Sequence, residues 1–312
     1  MIRSLLLTVA LLASAATHAE EETLGTLLVP LQVADGVYYF KGSLEARTFE
    51  NDAFNLNTGF VVTDAGVVLI DSGPSTRAAQ AIERAVATVT DKPIRYVINT
   101  GSQDHRWLGN AYFADKGVAI VALARTVETQ QREADRHMER IQRILMARFE
   151  GTRAVTAEAP VLGDRHGFRF GGRSFELIYG GDAHFPGDVI VWLPESRVAF
   201  SGDLVYLDRI LGIHPWTSIL GLQKAYAALV ALEPALVVPG HGAAADMTKV
   251  QAETGDYYDF LIDGVTASLA EWEELDQAVE RLSDAPQFGH LLHFDEWHRA
   301  NVNRVYLQLE AR

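Results

Sequence analysis

The 312-residue chain contains no cysteine. That excludes disulfides, a thiol nucleophile and any zinc site built on thiolates. Basic residues are outnumbered: 27 Lys and Arg stand against 41 Asp and Glu, for a formal net charge of −14. A nucleic-acid binder needs the opposite balance, so the expectation is no nucleic-acid partner. After the N-terminus there is no apolar run long enough to span a bilayer, so no membrane anchor is expected in the mature chain. Nor does a Pro- or Ser-rich linker divide the sequence, and residues 20–312 read as one domain. With 48% apolar residues, a chain of this length can bury a core without covalent staples.

What is present begins with a secretory pattern. Arg3 is followed by the apolar run Leu5–Ala13 and then small residues ending in Thr17-His18-Ala19. Residues 1–19 read as a signal peptide cleaved after Ala19, which makes the mature protein periplasmic or secreted. The apolar run is too short to remain as a membrane span.

Downstream, Leu27–Leu31 and Val37–Lys41 flank Asp35-Gly36, a hairpin signal. Gly59–Val62 and Val67–Asp71 flank a second turn. Ser75 is placed to cap an Ala-rich helix running to about Thr90. A strand at Arg95–Asn99 is followed by another at Ala119–Ala122 and a polar helix from about Thr126 to Phe149. The second half repeats the grammar: hairpins at Phe168–Tyr179 and Val189–Ser201, a helix near Ile219–Leu232 and a strand at Leu236–Val238. Helix dominates from Thr248 onward. Two β-rich halves, each closed by helix, predict an α/β fold of two sheets packed face to face with helices outside.

Five segments put Asp or His just after apolar strands, where loops meet at one sheet edge. They are Asp71 in LIDSG, Asp104-His105 in SQDH, His184 in GGDAHFPGD, Asp203 in FSGDL and His241 in VVPGHG. Singly each is weak; as an ordered set they are specific. Order and context resemble the motifs of the metallo-β-lactamase superfamily across nearly the whole mature chain. The flavour is that of its secreted hydrolase-like members, near sulfur-oxidation and quinoprotein systems, and the late segment NVNRVYLQLE goes with it.

The resemblance implies a four-layer αββα sandwich with a helical C-terminal segment. It also implies two metal sites fed by an H-x-H-x-D-H motif. In NTGSQDHRWLGN the first two histidines of that motif are replaced by Thr100 and Ser102. Neutral hydroxyls are poor zinc ligands, and His184 alone cannot hold the first metal. The second site keeps its ligands, with Asp104, His105, Asp203 and His241 as the expected set for one zinc or another divalent ion. Asp104 and His184 are the expected catalytic groups, acting on water and on proton transfer. The implied activity is hydrolysis of a small-molecule ester, amide, lactam or thioester. The alternative is a binding or accessory protein that keeps the fold without turnover.

Plainer roles are expected elsewhere. Asp71 reads as a structural carboxylate bonding nearby backbone amides, and Trp107 as a core residue under the motif loop. The charged stripe Gln130–Arg148 reads as a solvated helix face. His214 and Trp216 fall where the family lines its cleft. His137, His166, His290, His293 and His298 show no ligand spacing.

Overall fold

Pro30 has no N–H to donate to a ladder, and the first strand begins just after it. The structure, a computed structural model, describes residues 23–312, so the signal pattern and its cleavage point lie outside the described residues. A one-turn helix α1 (Leu24–Leu27) opens on Thr23, whose backbone N–H donates to Thr26 Oγ1 at 2.9 Å. The strand expected at Leu27–Leu31 is therefore shifted: β1 is Leu31–Ala34.

From there β2 (Val37–Phe40), β3 (Thr58–Thr63) and β4 (Gly66–Ile70) form an antiparallel meander. Helix α2 (Thr76–Val86) follows, capped by Ser75, whose side chain accepts from the Ala78 N–H at 3.1 Å. It returns the chain to β5 (Ile94–Ile98), parallel to β4. Short helices α3 (Asp104–Trp107) and α4 (Asn110–Ala114) lead to β6 (Ala119–Val121), and the long α5 (Ala124–Leu145) crosses back. These strands make a six-stranded sheet in sequence order.

The second sheet holds β7 (Arg165–Phe170), β8 (Arg173–Ile178), β9 (Ile190–Leu193), β10 (Val198–Tyr206) and, after helix α6 (Ile219–Val230), β11 (Leu236–His241). Only the β10–β11 pair is parallel in it. The C-terminal part is helical: α7 (Met247–Val250), α8 (Asp256–Ala270), α9 (Leu275–Leu282) and α10 (Phe294–Glu310).

Alternation along the strands explains the layering, because successive side chains point to opposite faces. Phe60, Val67 and Leu69 pack outward against Ala78 and Ile82 of α2. Val61, Val68 and Ile70 pack inward against Phe175, Val191 and Phe200 of the second sheet. Ile190, Trp192 and Ala199 face the other way, towards α6, α8 and α10. Each sheet thus has one face on its neighbour and one under helices, the four-layer αββα arrangement expected from the sequence. Among the described residues no helix is long and apolar enough to cross a membrane.

Candidate metal centre and cleft

The five motif segments end at the same sheet edge, where the C-terminal ends of β4, β5 and β11 meet a bulge in β10 and the loop before β9. Loops beyond the carboxyl ends of parallel strands are where α/β sheets build their sites. The bulge is local and necessary. The β10–β11 register shifts between Phe200 and Gly202, and Gly202 takes φ +53°, which turns Asp203 into the site. Gly240 lets the β11 backbone approach: a Cβ there would lie 2.5 Å from Asp203 Oδ1. Asn57 holds the end of β11, donating to Pro239 O at 2.9 Å and Gly242 O at 2.8 Å.

His105, Asp203 and His241 come together, all buried, with one ligand atom from each within 4.8 Å of the others. His105 Nε2 lies 3.4 Å from Asp203 Oδ2, and His241 Nε2 lies 3.2 Å from Oδ1. On its other side His105 Nδ1 is 3.4 Å from Asp104 Oδ1. His105 Nε2 and His241 Nδ1 have no hydrogen-bond partner among the described residues. Burial pulls His241 down to about 3, so its ring is neutral and free to ligate. This donor set fits a divalent cation of the kind that takes nitrogen and carboxylate oxygen together.

Asp104 is not part of that group. Its carboxylate is ion-paired to Arg47 and, at 3.0 Å, to Arg140 Nε. Burial pushes the Asp104 carboxyl up, but Arg47, His105 and Arg140 together hold it well below the usual carboxylate range. Asp104 therefore stands behind His105, the place from which a carboxylate fixes the tautomer of a ligating imidazole.

The two replaced positions have other duties. Thr100 Oγ1 donates to Asp71 Oδ2 at 2.6 Å, and Ser102 Oγ donates to Pro186 O at 2.8 Å. Asp71 also accepts from the Thr100 N–H at 2.7 Å, the structural role expected of it. His184 has its Nε2 3.3 Å from the Tyr206 hydroxyl and its ring 5.1 Å from that of His214. Burial pulls His184 down to about 4.

Between Asp71 and Asp203 lies a residue that motif reading passed over. Arg106 is fully buried; its Nε donates to Asp203 Oδ2 at 2.9 Å, its Nη2 to Oδ1, and its Nη1 to Asp71 Oδ2 at 2.7 Å. One turn of α3 aims it beneath the sheet edge while His105 faces the cleft. Burial pushes the Asp203 carboxyl up, yet Arg106 and the two imidazoles keep it ionised, well below its ordinary value.

A cleft of about 260 Å³ opens above His105, Asp203 and His241. His105, His184, His214 and His241 face it, and so do three guanidinium groups, those of Arg47, Arg140 and Arg209. His214 lines it as anticipated, stacked on Trp216 at 4.9 Å. His293 also reaches it, contacting Glu296 at 3.1 Å. His137 and His298 are buried in packing, and His290 is exposed.

Residues 51–241 match the family model described as the metallo-beta-lactamase superfamily. The chain belongs to the metallo-β-lactamase superfamily. Among superfamily relatives, it is 23% identical over 202 residues to metallo-beta-lactamase IND-1 of Chryseobacterium indologenes, covering 62% of this chain and 74% of that one. It is 28% identical over 183 residues to the alpha subunit of 2,4-dinitroanisole O-demethylase from Nocardioides sp. (strain JS1661), covering 57% of this chain and 50% of that one. The solved structure of a double mutant of the sec-alkyl sulfatase PisA1 superposes with a TM-score of 0.67 at 16% identity. That superposition spans 90% of this chain and 50% of the other, so the shared fold extends beyond residues 51–241.

Proposed function

We propose that the protein is an exported superfamily hydrolase that works with a single divalent ion, zinc in keeping with the superfamily, held by His105, Asp203 and His241. The observation that carries this is the convergence of His105, Asp203 and His241, all buried, with one ligand atom from each within 4.8 Å of the others. Bound there, the ion supplies Lewis acidity towards a carbonyl or ester oxygen. Asp104 orients His105, and Arg47 and Arg140 hold Asp104. His184, neutral at pH 7, has a free Nδ1 and the Tyr206 hydroxyl beside Nε2, so it can take up or pass on a proton at the cleft. Arg106 keeps a fixed positive charge beside Asp203 and Asp71, where the ligands of a first metal are missing. The substrate is a small molecule carrying an ester, amide, lactam or thioester.

Metal analysis tests the assignment. Dialysed wild-type protein should retain about one equivalent of zinc, and His105→Ala or His241→Ala should retain none. Asp104→Asn should keep the stoichiometry but bind roughly 10–100-fold more weakly, as expected for a group behind a ligand. Wild-type protein without tight metal would sink the proposal.

One observation favours a second reading. Arg106 already engages both oxygens of Asp203, an arrangement that is complete without a metal. On that reading the protein binds a ligand in the cleft and turns nothing over. Zinc-dependent hydrolysis lost in His241→Ala rules it out. Export rests on the pattern at residues 1–19; N-terminal sequencing of the exported protein should begin at or near Glu20.

A further inference from the structure

The last helix of the chain brings an indole to the cleft. Trp297 lies on α10, beyond the matched residues 51–241, and lines the cleft beside Gly212 and His214. It is half-buried, and its ring meets that of His214 edge-on, with centroids 5.4 Å apart and planes at 83°. His214 is in turn edge-on to His184 at 5.1 Å and stacked on Trp216 at 4.9 Å. Burial pulls His214 down to about 3, so at neutral pH it is an uncharged planar ring.

The corner formed by these two rings is held in place from both sides. Asn301 of α10 accepts from the Ile213 N–H at 2.8 Å and donates to Leu211 O at 2.8 Å. Arg304, on the same helix, donates to Ile213 O. These bonds flank Gly212, where a Cβ would lie 2.3 Å from Trp297 Cζ3 and 3.2 Å from His214 Nε2. A side chain at that position would displace both rings, so the glycine is what lets them meet at the cleft wall. Aromatic rings favour offset-stacked and edge-to-face partners. Two rings set nearly at right angles offer a third ring both at once, a face against one and an edge against the other. A puckered alkyl group of the same size can use neither geometry. We propose that Trp297 and His214 form an aryl-binding subsite of the cleft, and that the protein's substrate carries an uncharged aromatic ring seated there. Ring binding does not depend on the metal assignment; only the word substrate rests on the hydrolase reading.

Three neutral amides test the idea on the full chelator-treated protein: benzamide, cyclohexanecarboxamide and acetamide. The first two share the amide and nearly the same size but differ in planarity, and the third lacks a ring. Each is titrated and followed by saturation-transfer NMR of the ligand. Benzamide should bind saturably, cyclohexanecarboxamide about threefold more weakly or worse, and acetamide not at all. Trp297→Ala and His214→Ala should each weaken benzamide, the first roughly tenfold, while Trp297→Phe should keep most of the affinity. Trp272→Ala, at a tryptophan 91% exposed on the turn after α8, should leave binding unchanged. No saturable benzamide binding in the wild type, wild-type affinity in Trp297→Ala or His214→Ala, or no preference for benzamide over cyclohexanecarboxamide overturns the proposal. If Trp297→Ala does not fold, the comparison passes to Trp297→Leu, in which the preference for the aromatic amide must vanish; a preference kept there overturns it. Because metal has been removed, a failed zinc assignment leaves this result intact, and the two failures are separable.

Discussion

Arg106 shows how much a single residue next to a recognised motif can decide. It bonds two buried carboxylates with three of its nitrogens, a geometry that lysine cannot reproduce. Removing one partner of such a group leaves uncompensated charge in the interior, so Arg106→Met should lower unfolding free energy by about 3–5 kcal/mol in urea denaturation. A loss under about 1 kcal/mol would show that water already reaches the pair. The sequence made the missing imidazoles at Thr100 and Ser102 legible, since identity alone reports a lost ligand. It did not make Arg106 legible as the bridge. Its partners lie 35 and 97 residues away, and only the turn of α3 separates its direction from that of His105.

At the scale of elements, the strand ends were readable because alternation fixes which face is buried and the motif residues follow each run. Two features were not. Strand β10 runs on to Tyr206, past Ser201, because the bulge at Gly202 lets pairing resume beyond Asp203. Helix α5 is more than a solvated stripe: Gln130 and His137 are buried on it, and Arg140 reaches Asp104. Its polar composition hid this, since the buried groups are themselves polar. His137 packs between Trp107 and Phe185, and burial pulls it down to about 4 from 6.5. A histidine with a depressed folded pKa contributes stability that is full above about pH 6.5 and lost as pH falls towards 4. The difference is worth up to about 3 kcal/mol. His137→Leu should therefore flatten the decline in stability between pH 6.5 and 4, measured by denaturant midpoints across that range. A decline as steep as the wild type's would place the acid sensitivity elsewhere, in His184, His214 or His241, which burial shifts the same way.

For the whole molecule, the two-sheet sandwich brings to one edge residues from Asp71 to His241, and that convergence was legible as an ordered set. The cleft's charge was not. Arg47, Arg140 and Arg209 come from a loop, a helix and the segment after β10, with no spacing to connect them. Composition pointed the other way, to an acidic protein. A ligand that binds only the folded state raises its stability by mass action, so zinc at a hundredfold excess over its dissociation constant should add about 2.7 kcal/mol. Thermal melts with and without chelator should show that gain in the wild type and none in His241→Ala. Equal melting curves in the wild type would count against a folded-state metal site.

A guanidinium tethered by the backbone cannot be stripped by a chelator or diluted away. Because Arg106 clasps both oxygens of Asp203 from beneath, the carboxylate stays aimed at the two imidazoles whether or not an ion is there to receive. On the proposed metal assignment, capture then requires little rearrangement of the fold, and protein stripped of metal should look like the loaded form.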